Sequence, residues 1–179
     1  MNKVIRFYNY EQSFAYYTKR IMNIRQAKIY GERIVAKPVF LVAIIDAIES
    51  NVFTTNHFVI NDWLEERYLQ LMHKYTNGSQ FDVPTGIEKP FWHLESDGFW
   101  HLLYPGEVLS KSRTPSKQWL KENVRYAMFD DDLWFLLQNR EWRMKLREYI
   151  IEHKLTDGRW CGKFAAEGLG IFAAILLAA

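Results

Sequence analysis

Between Phe91 and Leu102 the chain reads Phe-Trp-His-Leu-Glu-Ser-Asp-Gly-Phe-Trp-His-Leu, so one tetrapeptide occurs on both sides of Glu-Ser-Asp-Gly. Two alternating aromatic runs around an Asp-Gly pair are typical of a tight β-hairpin. Gly98 can adopt the positive φ that such a turn requires. The sequence therefore predicts an α+β, mainly helical protein in which an aromatic β-hairpin forms a wing on a helical core.

Hydrophobic periodicity predicts helices on both sides of this stretch. Residues 38–49 begin with Pro38 and are apolar on all sides, which is typical of a central buried helix. Thr114 and Pro115 indicate another helix start, with the threonine as N-cap and the proline at the first helical position. Further helices are expected at residues 10–29, from Asn61 or Asp62 to residue 76, and at residues 130–153 with a break near Asn139.

The chain of 179 residues is long enough for one domain with a hydrophobic core. We expect a single domain over residues 1–155, followed by a tail at residues 156–179. The tail is apolar from Phe164 onward and is too short to span a bilayer. It is expected to pack on the domain or on a second copy, and contact with a membrane surface is the alternative. Cys161 is the only cysteine and no signal peptide is recognisable, so a cytoplasmic location is expected.

Basic residues are concentrated in two segments although the net charge is only +2. Residues 1–37 and 111–125 are rich in lysine and arginine, and the stretch between them contains an acidic section. This asymmetry predicts a basic face on a nearly neutral protein, and charges scattered over a solvated surface are the alternative interpretation. Helical spacing predicts that Lys117, Lys121 and Arg125, which lie four positions apart, share one helix face. The candidate DNA contacts are Lys28, Arg33, Lys37, Arg113, Lys117, Lys121 and Arg125.

The sequence contains no recognisable catalytic or cofactor motif. Its five histidines lack zinc-helix spacing, and it has no glycine-rich phosphate-binding loop. The acidic run from Asp130 to Asp132 is interpreted as the complement of a helix dipole rather than as a set of metal ligands. We therefore predict a binding module without cofactor or metal, and an unrecognised nuclease stays as an alternative.

Two separated motifs carry a resemblance to a known family. They are the Lys-Pro helix start of residues 37–48 and the aromatic stretch of residues 90–100, and residues 132–137 and 143–147 also fit. In their order and spacing they resemble the DNA sulfur-binding domain, which precedes an HNH nuclease in some type IV modification-dependent restriction enzymes. The resemblance covers residues 26–155. No HNH motif is present, so DNA cleavage would require a nuclease partner.

The resemblance implies a winged-helix-like fold that grips a duplex DNA backbone carrying a phosphorothioate. The sulfur would sit in a shallow apolar pocket formed by Pro90, Trp92 and His93, with Lys37 as the neighbouring cation. Arg113, or Lys117 after it, would be a flanking phosphate contact.

Two residues depart from the family pattern at the implied pocket. Ala36 replaces a histidine, and Lys89 replaces a tyrosine. These departures leave a second interpretation open: a structural or protein-interaction domain that kept the scaffold and lost sulfur recognition.

Overall fold

The computed structural model describes residue 7 and residues 9–29, 32–76, 85–104 and 113–156. The α-helices in these ranges are α1 Tyr10–Met22, α2 Ala36–Glu49, α3 Asp62–Thr76, α4 Glu88–His93, α5 Lys117–Asn123, α6 Asp131–Gln138 and α7 Arg140–Ile150. The strands are β1 Lys28–Ile29, β2 Glu32–Arg33, β3 Trp100–Leu103 and β4 Tyr126–Phe129. A 3₁₀ turn, Leu94–Asp97, follows α4, and a π-helical turn, Ile151–Leu155, follows α7. The expected α+β, mainly helical class is confirmed.

Helix α2 is the centre of the hydrophobic core. Eleven of its fourteen residues are buried, and α3, α4 and α7 pack around it. The ring of Phe40 meets the rings of Tyr68, Phe91 and Trp100 edge to face at 5.5–6.4 Å between centroids. The prediction of a central buried helix is confirmed. Pro38 lies in the first turn of α2, where a missing backbone N–H costs little.

The predicted β-hairpin is wrong, because the two copies of Phe-Trp-His-Leu adopt different structures. The first copy belongs to α4 and the 3₁₀ turn, and only the second copy forms strand β3. Strand β3 pairs antiparallel with β4, with Trp100 opposite Phe129. Gly98 does take a positive φ, 82°, but it ends the helical segment instead of linking two strands. The alternating pattern predicted that the two copies pair with each other. The second copy instead pairs with β4, which lies outside the repeat, so tertiary contacts outweigh the local pattern.

Two helices start where the sequence predicted a helix start or a break. The side chain of Asn61 accepts a hydrogen bond from the backbone N–H of Leu64 at 2.9 Å, and Asn139 accepts from Trp142 at 3.3 Å. The expected N-cap at the start of α3 and the expected break before α7 are therefore confirmed. Helix α1 ends at Met22 rather than at residue 29, because the chain then forms the short β1–β2 ribbon.

One cluster of buried hydrophobic residues extends from Tyr17 in α1 to Leu155 in the π-helical turn. The tail expected to pack or to mediate oligomerisation lies outside the described residues, except for Thr156. None of the helices in the described ranges combines the length and apolarity needed to cross a lipid bilayer.

Candidate nucleic-acid interface

A groove of about 840 Å³ lies between the start of α4 and the segment that leads into α5. The two sides are contributed by residues far apart in sequence, so tertiary packing creates the groove. Its lining residues are Glu88, Lys89, Arg113, Thr114, Pro115, Ser116, Lys117 and Trp119. Among the described residues, three cations and one carboxylate thus line a single concave surface.

Of the groove residues that the structure describes, Lys89 and Arg113 are the exposed cations, one on each side. Neither of them forms a salt bridge with another residue of the described chain. The carboxylate of Glu88 lies against Gly86, where an added Cβ would come within 2.4 Å of both carboxylate oxygens. The groove therefore presents two cations that are available to an anionic ligand.

A hydrogen bond holds the two sides of the groove together. His93 Nε2, on α4, lies 2.7 Å from Thr114 Oγ1 on the opposite side. The expected N-cap role of Thr114 is wrong, because Ser116 Oγ accepts the backbone N–H of Trp119 at 3.1 Å and α5 begins at Lys117. Thr114 fixes the position of the segment instead of starting the helix.

Trp119 supplies an aromatic wall of the groove. Its indole is half-buried and stands edge-on to the fully buried ring of Trp92, with 6.1 Å between centroids and 87° between planes. Trp92 in turn packs against Tyr104 at 5.7 Å. The core thus supports Trp119 from inside while the indole also faces the groove.

The expected basic face of α5 is partly neutralised. Lys117 Nζ forms an ion pair with Glu65 Oε1, and Lys121 Nζ lies 3.9 Å from Glu65 Oε2. The hydrogen bond with Glu65 raises the pKa of Lys117 above its ordinary value. Arg125 lies beyond the end of the helix, with its guanidinium 6.0 Å from the ring centre of Tyr126. The prediction that all three cations share one helix face is therefore wrong for Arg125.

Lys37, the implied cation of a sulfur pocket, is engaged within the protein. Its Nζ lies 2.6 Å from Asp97 Oδ2, and the two side chains are only 12% and 5% exposed. Asp97 Oδ1 also accepts the backbone N–H of Arg25 at 3.1 Å. Lys37 thus ties the start of α2 to the 3₁₀ turn.

The other implied pocket residues are mostly inaccessible. Pro90 and Trp92 are buried, and His93 is half-buried through its contact with Thr114. Lys28 and Arg33 are exposed and face each other across the β1–β2 ribbon, outside the residues that line the groove. The structure brings together Arg113 and Lys117 from the sequence candidates, and it adds Lys89 and Trp119.

Sequence reasoning missed Lys89 and Trp119 as site residues. The only signal for Lys89 was its departure from the family pattern at the residue before Pro90, and Trp119 carried no signal beyond its place in a basic segment. Only the folded chain puts them on the same surface.

A second titratable cluster lies around Asp130. Asp130 accepts the hydroxyl of Tyr17 at 3.2 Å and lies 2.6 Å from His101 Nε2. Burial, with a contribution from Asp130, raises the pKa of Tyr17 above its ordinary range. Across the ranges that the structure describes, no group of three or more His, Cys, Asp or Glu side chains could hold a metal ion.

No protein-family model matches the chain, and a comparison with curated proteins found no match. Its function is therefore inferred from its own residues and geometry.

Proposed function

We propose that the protein is a duplex-DNA-binding module that contacts the phosphate backbone through the groove beside α4. The observation that carries the proposal is the pair of exposed cations, Lys89 and Arg113, on opposite sides of one concave surface. Arginine and lysine at such positions neutralise phosphates and release condensed counterions. Arg113 can also present a bidentate fork to phosphate oxygens.

Other cations of the proposed interface have secondary roles. Lys28, Arg33 and Arg125 are exposed and can add long-range attraction to a polyanion. Lys117 and Lys121 already share Glu65, so a phosphate would have to compete with an existing partner. We therefore assign most of the backbone contact to Lys89 and Arg113.

The proposal also includes a winged-helix-like arrangement and the recognition of sulfur. In this arrangement the β3–β4 sheet is the wing beside the helices. His93 lies one helical turn after Lys89 and is the most accessible of the three implied pocket residues. A phosphorothioate next to Lys89 would therefore meet His93 before the buried Pro90.

Fluorescence anisotropy with matched labelled duplexes, with and without one phosphorothioate, tests the proposal across a series of salt concentrations. We expect Lys89→Gln and Arg113→Gln each to weaken binding to both duplexes and to flatten the salt dependence by about 0.9 in log–log slope. Lys19→Gln, a change at an exposed lysine of α1, is the matched control and should change neither quantity. Salt-independent binding, or unaltered binding by both groove variants, would refute backbone contact in this groove. Sulfur recognition additionally requires tighter binding of the modified duplex at every salt concentration.

A second candidate function is a structural or protein-interaction domain, serving a nuclease partner, that kept the scaffold without the ligand. It is favoured by the internal pairing of Lys37, Lys117 and Lys121 with carboxylates. A folded protein that binds neither duplex at low salt would favour this function. DNA cleavage with an added divalent metal ion would instead indicate an unrecognised nuclease.

A further inference from the structure

The groove contains an aromatic wall that backbone contact alone does not require. A protein binds the phosphates of an intact duplex through cations and hydrogen-bond donors. The bases of the duplex are stacked inside the double helix, so they offer no free face to an aromatic ring. Proteins that hold unpaired nucleotides combine a cationic groove with an aromatic ring on which a base stacks. Trp119 stands in the same groove as Lys89 and Arg113, and Pro115 adds further apolar surface.

The indole of Trp119 is fixed in position before any ligand arrives. The Ser116 cap sets the start of α5, and the buried Trp92 supports the indole from the core side. The hydrogen bond between His93 and Thr114 holds the segment carrying Arg113 against α4. A rigid aromatic ring with cations nearby loses little conformational entropy when a base stacks on it.

We propose that this groove binds an unpaired nucleotide, whose base stacks on Trp119 and whose phosphate is neutralised by Arg113 and Lys89. The protein then prefers single-stranded or locally unpaired DNA to an intact duplex of the same sequence. This inference rests on the proposed function, because it uses the same groove and the same cations, and it adds the chemical class of the preferred ligand.

The test compares a labelled single strand with its own duplex by fluorescence anisotropy at one low salt concentration. Wild-type protein should bind the single strand more tightly. Trp119→Leu should weaken single-strand binding by about 5- to 150-fold, the range for loss of one base–aromatic stack. It should leave duplex binding nearly unchanged, and Trp119→Phe should keep most of the affinity because a ring remains.

Two controls separate loss of stacking from loss of folding. Trp63→Leu removes a half-buried tryptophan from a different cavity and should not alter binding of either DNA. Urea denaturation identifies any variant that is not folded under the binding conditions. If the leucine variant unfolds, the preference of the wild-type protein for the single strand over its own duplex remains the deciding comparison.

The outcomes distinguish this inference from the proposed function. If Lys89→Gln and Arg113→Gln weaken binding while Trp119→Leu changes neither DNA, stacking is refuted and backbone binding stands. A wild-type preference for duplex, or equal losses for both DNAs in Trp119→Leu, also refutes stacking. If none of the three variants alters binding, both the inference and the proposed function fail.

Discussion

Lys37 should stabilise the fold rather than contact DNA, and replacing it tests this assignment. Lys37→Met keeps most of the side chain's apolar length and removes its charge. The carboxylate of Asp97, only 5% exposed, then loses the cation at 2.6 Å. Removing one partner of a buried ion pair typically costs about 3–5 kcal/mol. Asp97 keeps the backbone N–H of Arg25, so we expect a loss of about 3 kcal/mol, near the lower end of that range.

Urea denaturation at neutral pH measures this loss, and a double-mutant cycle isolates the pair. Asp97→Asn removes the negative charge, so the double variant Lys37→Met/Asp97→Asn should be more stable than the sum of the single losses implies. The coupling free energy between neighbouring, interacting residues should exceed about 0.5 kcal/mol. Folded Lys37→Met should bind DNA as the wild type does. A stability loss below about 1 kcal/mol, additive single losses, or weaker DNA binding by the folded variant would refute this assignment.

Three further changes probe the framework around the groove. Gly98→Ala should lower stability by about 1–2 kcal/mol or more in urea denaturation, because φ is 82° and the new Cβ would lie 2.6 Å from Arg20 Nη2; an unchanged midpoint would contradict this. Tyr17→Phe should cost about 1–3 kcal/mol in thermal or urea unfolding, because Asp130 loses a buried donor, and a variant as stable as wild type would argue against that hydrogen bond. Hydrogen bonds from two arginines lower the pKa of Glu49, so its stabilisation is present above its ordinary pKa of 4.5 and is lost as pH falls through the folded-state value. Glu49→Gln should therefore flatten the stability–pH curve below the ordinary pKa of 4.5, and parallel curves would contradict that linkage.

Features determined by nearby residues could be predicted from the sequence. The uniformly apolar run of α2 indicates burial whatever its neighbours are. Asn61 and Asn139 cap helices through bonds to residues three positions later. A hairpin turn and the end of a helical segment both favour glycine with a positive φ. The positive φ of Gly98 was therefore predicted correctly although the hairpin was not.

Features created by distant residues could not be predicted in the same way. The second Phe-Trp-His-Leu becomes a strand because β4 pairs with it, whereas the first is helical. Asp97 lies sixty positions after Lys37, and nothing in either segment indicates their ion pair. Lys89 and Arg113 likewise line one groove only because α4 packs against the segment before α5.

The salt dependence of duplex DNA binding tests the central claim, that Lys89 and Arg113 contact the phosphate backbone. The measurement compares the wild type with the double variant Lys89→Gln/Arg113→Gln over a range of salt concentrations. Loss of two phosphate contacts should reduce the magnitude of the slope of log K against log salt concentration by about 1.8. An identical slope for a folded double variant would contradict the account, because both cations would then bind no phosphate.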